Sequence, residues 1–233
     1  MSRSAWFDGV EALTFDCYGT IVDWESGISR ALIDLLGDEA RRRSDDDLLV
    51  MYGEFEARAE EGAFRNYREV LEDVACAFGA ELGVEVSTDD AARFARSVGT
   101  WPLFPDSVDA LTTLGRSYRL AIVSNVDDDL FARTADRLGV TFAEVVTAQQ
   151  VRSYKPAPAH FDEALRRLGL PREAVVHVAQ SLFHDIAPAK ALGLRCVWID
   201  RRGGRSSGGA TPPAKATPDR TFPDLAALAS DAT

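Results

Sequence analysis

Short apolar runs alternate with amphipathic stretches along most of the chain. The run from Leu120 to Val123 is the strongest of them, and it ends abruptly in polar residues. Such runs are typical of buried strands, whereas the stretches between them carry apolar residues at helical spacing. Strands separated by helices of ten or more residues predict a parallel sheet with helices on both faces. The predicted strands begin at or near Ala12, Leu120, Glu144, Val175 and Cys196.

The region from Asp23 to Ser97 has a different pattern, because its apolar residues recur at helical spacing with no convincing strand. We therefore predict an α/β fold with a Rossmann-like core at residues 1–22 and 102–233 and an inserted all-helical cap at residues 23–101. Gly and Pro crowd residues 201–218, which predicts a mobile loop. A short last helix is expected to dock through Phe222, Leu225 and Leu228.

Composition narrows the classes of protein that this sequence allows. The chain has 233 residues, 46% hydrophobic and 27% charged, which suits a globular core with a smaller attached domain. Its 37 acidic and 26 basic residues give a formal charge of −11, and because an acidic surface repels phosphate backbones we expect no nucleic-acid partner. Neither a membrane span nor a secretory signal is predicted. Three cysteines without metal-binding or disulfide spacing fit the cytoplasm.

Reactive side chains follow the predicted strands, at the edge where ligands bind in open α/β sheets. Together they could supply a nucleophile, donors for an anion, a positive charge that offsets the acids, and a base. The set comprises carboxylates, hydroxyls, amides and one ammonium group: Asp16, Thr20, Ser124, Asn125, Lys155, Gln180, Ser181 and Asp185.

Four segments resemble, in order and spacing, the four motifs of the haloacid dehalogenase superfamily. The resemblance spans nearly the whole chain, and it implies that superfamily's core fold with one of its small all-helical caps. The segments read Phe-Asp-Cys-Tyr-Gly-Thr at 15–20, Val-Ser-Asn at 123–125, Tyr-Lys-Pro at 154–156 and Gln-Ser-Leu-Phe-His-Asp at 180–185.

Two positions differ from the phosphatases that make up most of that superfamily. Tyr18 stands where the phosphatases carry the aspartate that protonates the leaving alcohol, and loss of such an acid should slow the reaction by about 10²–10⁴-fold. Gln180 stands where they usually carry a metal-binding aspartate, and an amide is a weaker ligand for Mg²⁺ than a carboxylate. A halide leaves without a proton or a metal. The first motif is similar to that of the type II, or L-2-haloacid, dehalogenases.

The resemblance implies a reaction without cofactor or metal on a small anionic substrate. Asp16 attacks the carbon that bears the halogen, and water hydrolyses the resulting ester to release a 2-hydroxy acid. Lys155 is expected to lower the pKa of Asp16, while Asp185 orients Lys155 and activates the water. The residues expected to bind or position the nucleophile or substrate are Tyr18, Thr20, Ser124, Asn125, Gln180 and Ser181.

Several alternatives stay open from the sequence. A Mg²⁺-dependent phosphatase acting on a small metabolite is one, and a non-catalytic domain that binds a small anion or a partner protein is another. The cap arginine that helps to hold the halide in L-2-haloacid dehalogenases has Arg58, Arg65 and Arg68 as candidates. A homodimer formed through the cap is a further open interpretation.

The histidines and Cys17 have simpler interpretations. We interpret His184 as a surface or capping residue, His177 as a core or edge residue of its strand, and His160 as facing solvent. Cys17 is interpreted as a small apolar side chain packed behind the loop.

Overall fold

The fold is known from a computed structural model that describes residues 3–204 and 209–233. Its strands are β1 Ala12–Phe15, β2 Arg119–Ser124, β3 Glu144–Thr147, β4 Val175–Ala179, β5 Arg195–Ile199 and β6 Arg220–Phe222. They form one parallel sheet in the order β3-β2-β1-β4-β5-β6. The central strand β1 is buried along its whole length, so the loop that follows it begins in the interior.

The helices connect these strands and fill the region between β1 and β2. They are α1 Trp24–Leu36, α2 Asp38–Arg41, α3 Asp45–Ala59, α4 Tyr67–Leu82, α5 Thr88–Ser97, α6 Ser107–Leu114, α7 Asp128–Leu138, α8 Ala148–Val151, α9 Ala159–Leu168, α10 Ala187–Ala191 and α11 Leu225–Ala232. A π-helical turn, Leu182–Ile186, leads into α10. Within residues 3–204 and 209–233, none of the helices has both the length and the apolar character needed to cross a lipid bilayer.

Both faces of the sheet are apolar and covered by helices. Successive residues of a strand point to opposite faces. In β2, Ile122 packs in the same apolar cluster as residues of α6 and α11. Its neighbours Ala121 and Val123 pack in a second cluster with Phe161 and Leu168 of α9. The predicted parallel sheet with helices on both faces is therefore confirmed.

Helices α1 to α5 lie between the first two strands, and no described residue from 24 to 97 is in a strand, as the sequence predicts. Ile28 of α1 and Val70 of α4 belong to the same apolar cluster as Phe15 of β1, so this helical region packs on the rest of the molecule. Gly27 lies directly against the ring of Trp101, since a Cβ at Gly27 would be 2.3 Å from Trp101 Cγ. The exact limits of the cap, residues 23 and 101, stay a prediction.

The end of the chain differs from the predicted pattern. Phe222 lies in the short edge strand β6, and the last helix begins only at Leu225, because the Asp224 side chain caps it. The predicted loop at 201–218 contains neither helix nor strand in its described residues, while its residues 205–208 lie outside the described part. Ala210 in that loop is buried, and its carbonyl oxygen would be 2.6 Å from a Cβ at Gly53 of α3.

Candidate active site

Lys155 lies between two carboxylates at the carboxyl ends of the central strands. Its Nζ donates to Asp16 Oδ1 at 2.8 Å, to Asp185 Oδ1 at 2.7 Å and to the carbonyl oxygen of Val123 at 2.9 Å. These bonds use all three N–H groups of the ammonium. Lys155 is 2% exposed, Asp185 1% and Asp16 6%, so the cluster is removed from bulk water. Buried charges persist only with such pairing, and two carboxylates with one ammonium leave a single net negative charge.

The pKa values in this cluster reflect burial and charge together. Burial is the largest influence on the pKa of Asp16 and raises it, Asp185 adds to the rise, and Lys155 and Thr20 oppose it. The net direction is upward, so the lowering predicted from the sequence is wrong: Lys155 acts as predicted, but burial outweighs it. Burial also opposes ionisation of Asp185, yet Lys155 and His177 lower its pKa to about 2.

Thr20 positions Asp16, the candidate nucleophile, through a hydrogen bond. Its Oγ1 donates to Asp16 Oδ2 at 2.7 Å and accepts from the backbone N–H of Gln180 at 2.9 Å. The turn that brings Thr20 there includes Gly19 at φ 100°, where a Cβ would also lie 3.1 Å from Trp24 Nε1. Thr20 thus connects the loops that follow β1 and β4.

Asn125 fixes the backbone of Lys155. Its Oδ1 accepts from the N–H of Lys155 at 2.7 Å, and its Nδ2 donates to the carbonyl oxygen of Lys155 at 3.1 Å. The amide therefore acts as a clamp on the loop after α8, and this clamp sets the direction of the lysine side chain.

A buried chain of hydrogen bonds supports Asp185. His177 Nε2 lies 3.0 Å from Asp185 Oδ1, and His177 Nδ1 lies 2.9 Å from Thr14 Oγ1. His177 is fully buried, which confirms its interpretation as a strand residue within the molecule. Among the described residues, the buried atoms Asp185 Oδ2 and Ser124 Oγ have no hydrogen-bond partner. Buried polar atoms are normally paired, so these two are available to a ligand or water.

A small cavity of about 40 Å³ adjoins the cluster. All predicted site residues except Thr20 and Gln180 line it. Gln180 lies on a neighbouring groove with Trp198, and its amide faces the turn at Gly19. The cavity lining in the described part of the chain is Asp16, Tyr18, Trp24, Glu56, Glu60, Tyr67, Ser124, Asn125, Lys155, Ser181, His184, Asp185 and Thr211.

Tyr18 occupies the edge of this cavity as a neutral phenol. Its hydroxyl is 3.0 Å from Thr134 Oγ1 in α7, and its ring meets the edge of Trp101. Burial raises the pKa of Tyr18 well above its ordinary value. A phenol already engaged with Thr134 does not replace the carboxylic acid that this position lacks.

Two carboxyl groups, Glu56 of α3 and Glu60 directly after α3, reach the cavity from the helical region, and the sequence interpretation missed both. Tyr67 Oη donates to Glu56 Oε1 at 2.5 Å and Tyr52 Oη donates to the same oxygen at 3.1 Å. Burial raises the pKa of Glu56 to about 7, and burial together with Glu56 raises that of Glu60 to about 9. The available signal was spacing, because positions 52, 56 and 60 share one helix face and Tyr52 marks that face as buried.

None of the three candidate cap arginines lines the cavity. Arg58 is exposed and pairs with Glu54, whereas Arg65 pairs with Asp73. Arg68 pairs with Asp129. The expected halide-binding guanidinium is thus missing from the cavity lining in the described residues.

The remaining interpretations have mixed outcomes. His184 N donates to Ser181 Oγ at 2.9 Å, but the ring lines the cavity, and burial lowers its pKa to about 4. His160 is fully buried, so its expected exposure is wrong; α9 packs that face on the sheet. Cys17 is fully buried, and burial raises its pKa, which confirms packing behind the loop.

The donors at the cavity are a poor set for a magnesium ion. Both oxygens of Asp16 already accept hydrogen bonds, and Lys155 occupies the space between Asp16 and Asp185. The Gln180 side chain lies outside the cavity lining. No group of three or more His, Cys, Asp or Glu side chains in the described residues could hold a metal ion.

Comparison with known protein families assigns the chain to a class of hydrolases. A family model for haloacid dehalogenase-like hydrolases matches residues 10–193, and the chain belongs to this family.

Individual relatives point in two directions. The chain is 26% identical over 202 residues to haloacetate dehalogenase H-2 of Moraxella sp. (strain B), covering 83% of this chain and 87% of that protein. It is 31% identical over 145 residues to a phosphoserine phosphatase of Thermus thermophilus, covering 60% of this chain and 56% of that one. The fold is similar to the structure of L-2-haloacid dehalogenase from Xanthobacter autotrophicus, with a TM-score of 0.80, 21% identity and coverage of 95% and 97%.

Proposed function

We propose that the protein hydrolyses the carbon–halogen bond of a small 2-haloalkanoic acid and releases the 2-hydroxy acid. The observation that carries this proposal is the buried Asp16–Lys155–Asp185 cluster at a small cavity where Tyr18 stands in place of an acid for a leaving alcohol. The similarity to the Moraxella haloacetate dehalogenase over most of both chains supports it. The size of the cavity favours a short substrate.

In the first step, a carboxylate oxygen of Asp16 attacks the carbon that carries the halogen. A C–O bond forms as the C–X bond breaks, and the electron pair of the C–X bond leaves with the halide. Lys155 and Thr20 each hold one oxygen of Asp16, which fixes the plane of the carboxylate and favours its ionised form.

The substrate carboxylate needs donors near Asp16 that are not already engaged. Ser124 Oγ is buried, lines the cavity and has no partner among the described residues. We assign it to the substrate carboxylate. Ser181 also lines the cavity, but its hydroxyl accepts from the His184 N–H at 2.9 Å and lies 3.3 Å from His184 Nδ1. Asn125 lines the same wall, but its amide is engaged with Lys155, so we assign it to positioning.

In the second step, water adds to the carbonyl carbon of the Asp16 ester, the ester C–O bond breaks at the carbonyl, and one proton is released overall. Asp185 Oδ2 is free to accept a hydrogen bond from this water. With a pKa of about 2, Asp185 is a weak base, so orientation of the water and of Lys155 is its main contribution. Thr20 and Gln180 support the loop behind the nucleophile and do not touch substrate.

A phosphatase is the second candidate, and the similarity to the Thermus phosphoserine phosphatase favours it. The donors described above are a poor fit for Mg²⁺, and no step is assigned through a metal. This candidate predicts phosphate release that depends on added magnesium, whereas the first predicts halide release without any metal.

The test is halide release from fluoro-, chloro- and bromo-substituted acetate and propionate by protein treated with a chelator. The Asp16→Asn variant should lose release by about 10⁴-fold or more, because its amide cannot act as the nucleophile. Asp8→Asn is the matched control, since Asp8 is an exposed carboxylate paired with Arg3.

Single-turnover hydrolysis in ¹⁸O-water adds a direct readout of the ester. The label should appear in the Asp16 side chain, because water attacks the aspartyl carbonyl carbon. Halide release that survives in Asp16→Asn, or the absence of release from every acid, would overturn the proposal. A biological effect that persists in Asp16→Asn would instead favour a non-catalytic binding domain.

A further inference from the structure

The helical wall of the cavity carries carboxyl groups where an anion has to leave. From the helical region the cavity is lined by Trp24 of α1, Glu56 of α3, Glu60 directly after α3 and Tyr67 of α4. Apart from Lys155, no lysine or arginine in the described part of the chain lines the cavity. The Lys155 ammonium already makes its three hydrogen bonds.

The direction of the proposed reaction brings the leaving group to this wall. A displacement at carbon is in line, so the halide departs on the side of the carbon opposite to Asp16. Asp16 and its partners occupy the strand ends, and the side of the cavity that remains is formed by the helical region together with Thr211 of the loop after β5. The halide therefore leaves toward the helical wall and needs a hydrogen-bond donor there.

Glu56 and Glu60 lie one helical turn apart but differ in their partners. Glu56 is anchored, because the hydroxyls of Tyr52 and Tyr67 both donate to its Oε1. The backbone N–H of Glu60 donates to the Glu56 carbonyl oxygen at 2.9 Å, but within the described residues the Glu60 carboxyl group makes no hydrogen bond or ion pair. It is partly buried and faces the cavity, so its carboxyl group is the free one of the two.

We propose that Glu60 is the leaving-group donor of this site, its carboxylic O–H donating a hydrogen bond to the halide as the carbon–halogen bond breaks. This inference rests on the proposed function. The electron pair leaves with the halogen and the proton stays on Glu60, so the step needs no further reactant. The Glu60 O–H is thus an acidic group on the helical side of a site in which position 18 is a tyrosine and not an aspartate.

The surroundings of Glu60 favour its protonated form at neutral pH. Burial and the neighbouring Glu56 raise its pKa to about 9, and burial raises that of Glu56 to about 7. The Glu60 donor is present below about pH 9 and is lost as pH rises through that value. The other titratable groups that face this space are Tyr67 from α4, Tyr154 from the loop after α8, and Asp16, Tyr18, Lys155, His184 and Asp185 from the strand ends.

Chloride binding, followed by chloride-35 NMR line broadening at pH 7 and pH 10, tests the donor without requiring turnover. Glu60→Leu should weaken chloride binding by about tenfold or more at pH 7, since it removes a hydrogen bond to a charged acceptor. Glu60→Gln keeps a neutral N–H donor that does not titrate. It should stay within about threefold of the wild type at pH 7 and lose the part of the decline that ionisation of Glu60 causes near pH 9. Glu61→Gln is the matched control on an exposed neighbour.

A leaving-group series gives the second readout. Glu60→Leu should slow fluoride release more than bromide release, because fluoride is the stronger hydrogen-bond acceptor and the poorer leaving group. Equal chloride binding by wild type and Glu60→Leu at pH 7 would overturn the donor role, whatever the turnover. Chloride binding that depends on Glu60 in a protein that releases no halide would support the donor and overturn the proposed function alone.

Discussion

Carboxyl groups reach the cavity from two regions, and the regions handle them differently. At the strand ends, Asp16 and Asp185 share one ammonium group and are held by Thr20 and His177. On the helical wall, Glu56 accepts from two tyrosine hydroxyls and Glu60 lies near Glu56, and neither carboxyl group has a cationic partner among the described residues. The comparison teaches that a buried cation opposes the rise in pKa that burial causes, more than offsetting it for Asp185 and partly for Asp16, while its absence leaves a carboxylic acid that can donate.

Removing the shared cation should have the largest effect and would break the comparison. Lys155→Met leaves two buried carboxylates unpaired, so we expect undetectable turnover and a loss of about 3–5 kcal/mol in the free energy of unfolding at pH 7. The loss should shrink as pH falls, because protonation of Asp16 and Asp185 removes their repulsion. Urea denaturation at pH 7 and pH 4 measures it.

Lys190→Met is the matched control for that variant. Lys190 pairs with Asp219 at a partly exposed site, and such pairs contribute about 1 kcal/mol or less. If Lys155→Met lost no more stability than Lys190→Met, the strand-end carboxylates would not depend on their cation.

Replacing Glu56, which two tyrosine hydroxyls hold, tests the carboxyl groups of the helical wall. Burial raises the pKa of Glu56 from an ordinary 4.5 to about 7. Between these pH values Glu56 ionises in the unfolded chain but stays protonated in the folded protein, so the free energy of unfolding falls as pH rises from 4.5 through 7. Glu56→Gln removes this cost and still accepts from Tyr52 and Tyr67. We expect its stability relative to wild type to improve by at most about 3 kcal/mol between pH 5 and pH 8.

Denaturation curves at both pH values measure the Glu56 effect. Glu54→Gln, on the exposed face of the same helix, should change little between them. If the difference in free energy of unfolding between Glu56→Gln and wild type is the same at pH 5 and pH 8, then Glu56 ionises normally.

The strand-end acid Asp185 should show the opposite dependence on pH. Its pKa is lowered from 3.8 to about 2 despite burial, so its stabilising contribution is present above pH 3.8 and lost as pH falls through 2. That contribution is about 2 kcal/mol. Between pH 4 and pH 2 the free energy of unfolding should therefore fall by about 2 kcal/mol less for Asp185→Asn than for wild type. Asp109→Asn, exposed in α6, should follow the wild-type curve.

The sequence was sufficient for the strand-end half of this site because its residues follow strands, and parallel strand ends must meet. Asp16, Lys155 and Asp185 are far apart in the chain, yet one sheet edge brings them within hydrogen-bond distance. The sheet and the helical region were also predictable, because the spacing of apolar residues differs between strands and helices.

The helical wall could not be read in the same way. Which face of α3 meets the cavity depends on how the whole helical region packs, and Glu56 on its own resembles an ordinary solvated acid. His160 was misplaced for a similar reason, because its burial is decided by the packing of α9 on the sheet. The upward pKa of Asp16 also depends on burial, which a motif does not encode.

Ser124 tests the two regions where the smallest effect is expected. Its Oγ is buried beside Asp16 without a partner in the described residues, so Ser124→Ala breaks no protein hydrogen bond and should change the free energy of unfolding by about 1 kcal/mol or less. If Ser124 binds the substrate carboxylate, kcat/KM for a 2-haloacid should fall about tenfold, mostly through KM. Ser107→Ala is the structural counterpart: the buried Ser107 Oγ donates to the carbonyl oxygen of Ile21 at 2.7 Å, so this variant should lose stability but keep its KM. Unchanged kinetics in Ser124→Ala would move the anchoring of the substrate carboxylate away from the strand ends, and the helical wall would then have to supply both the donor for the halide and the donor for the substrate.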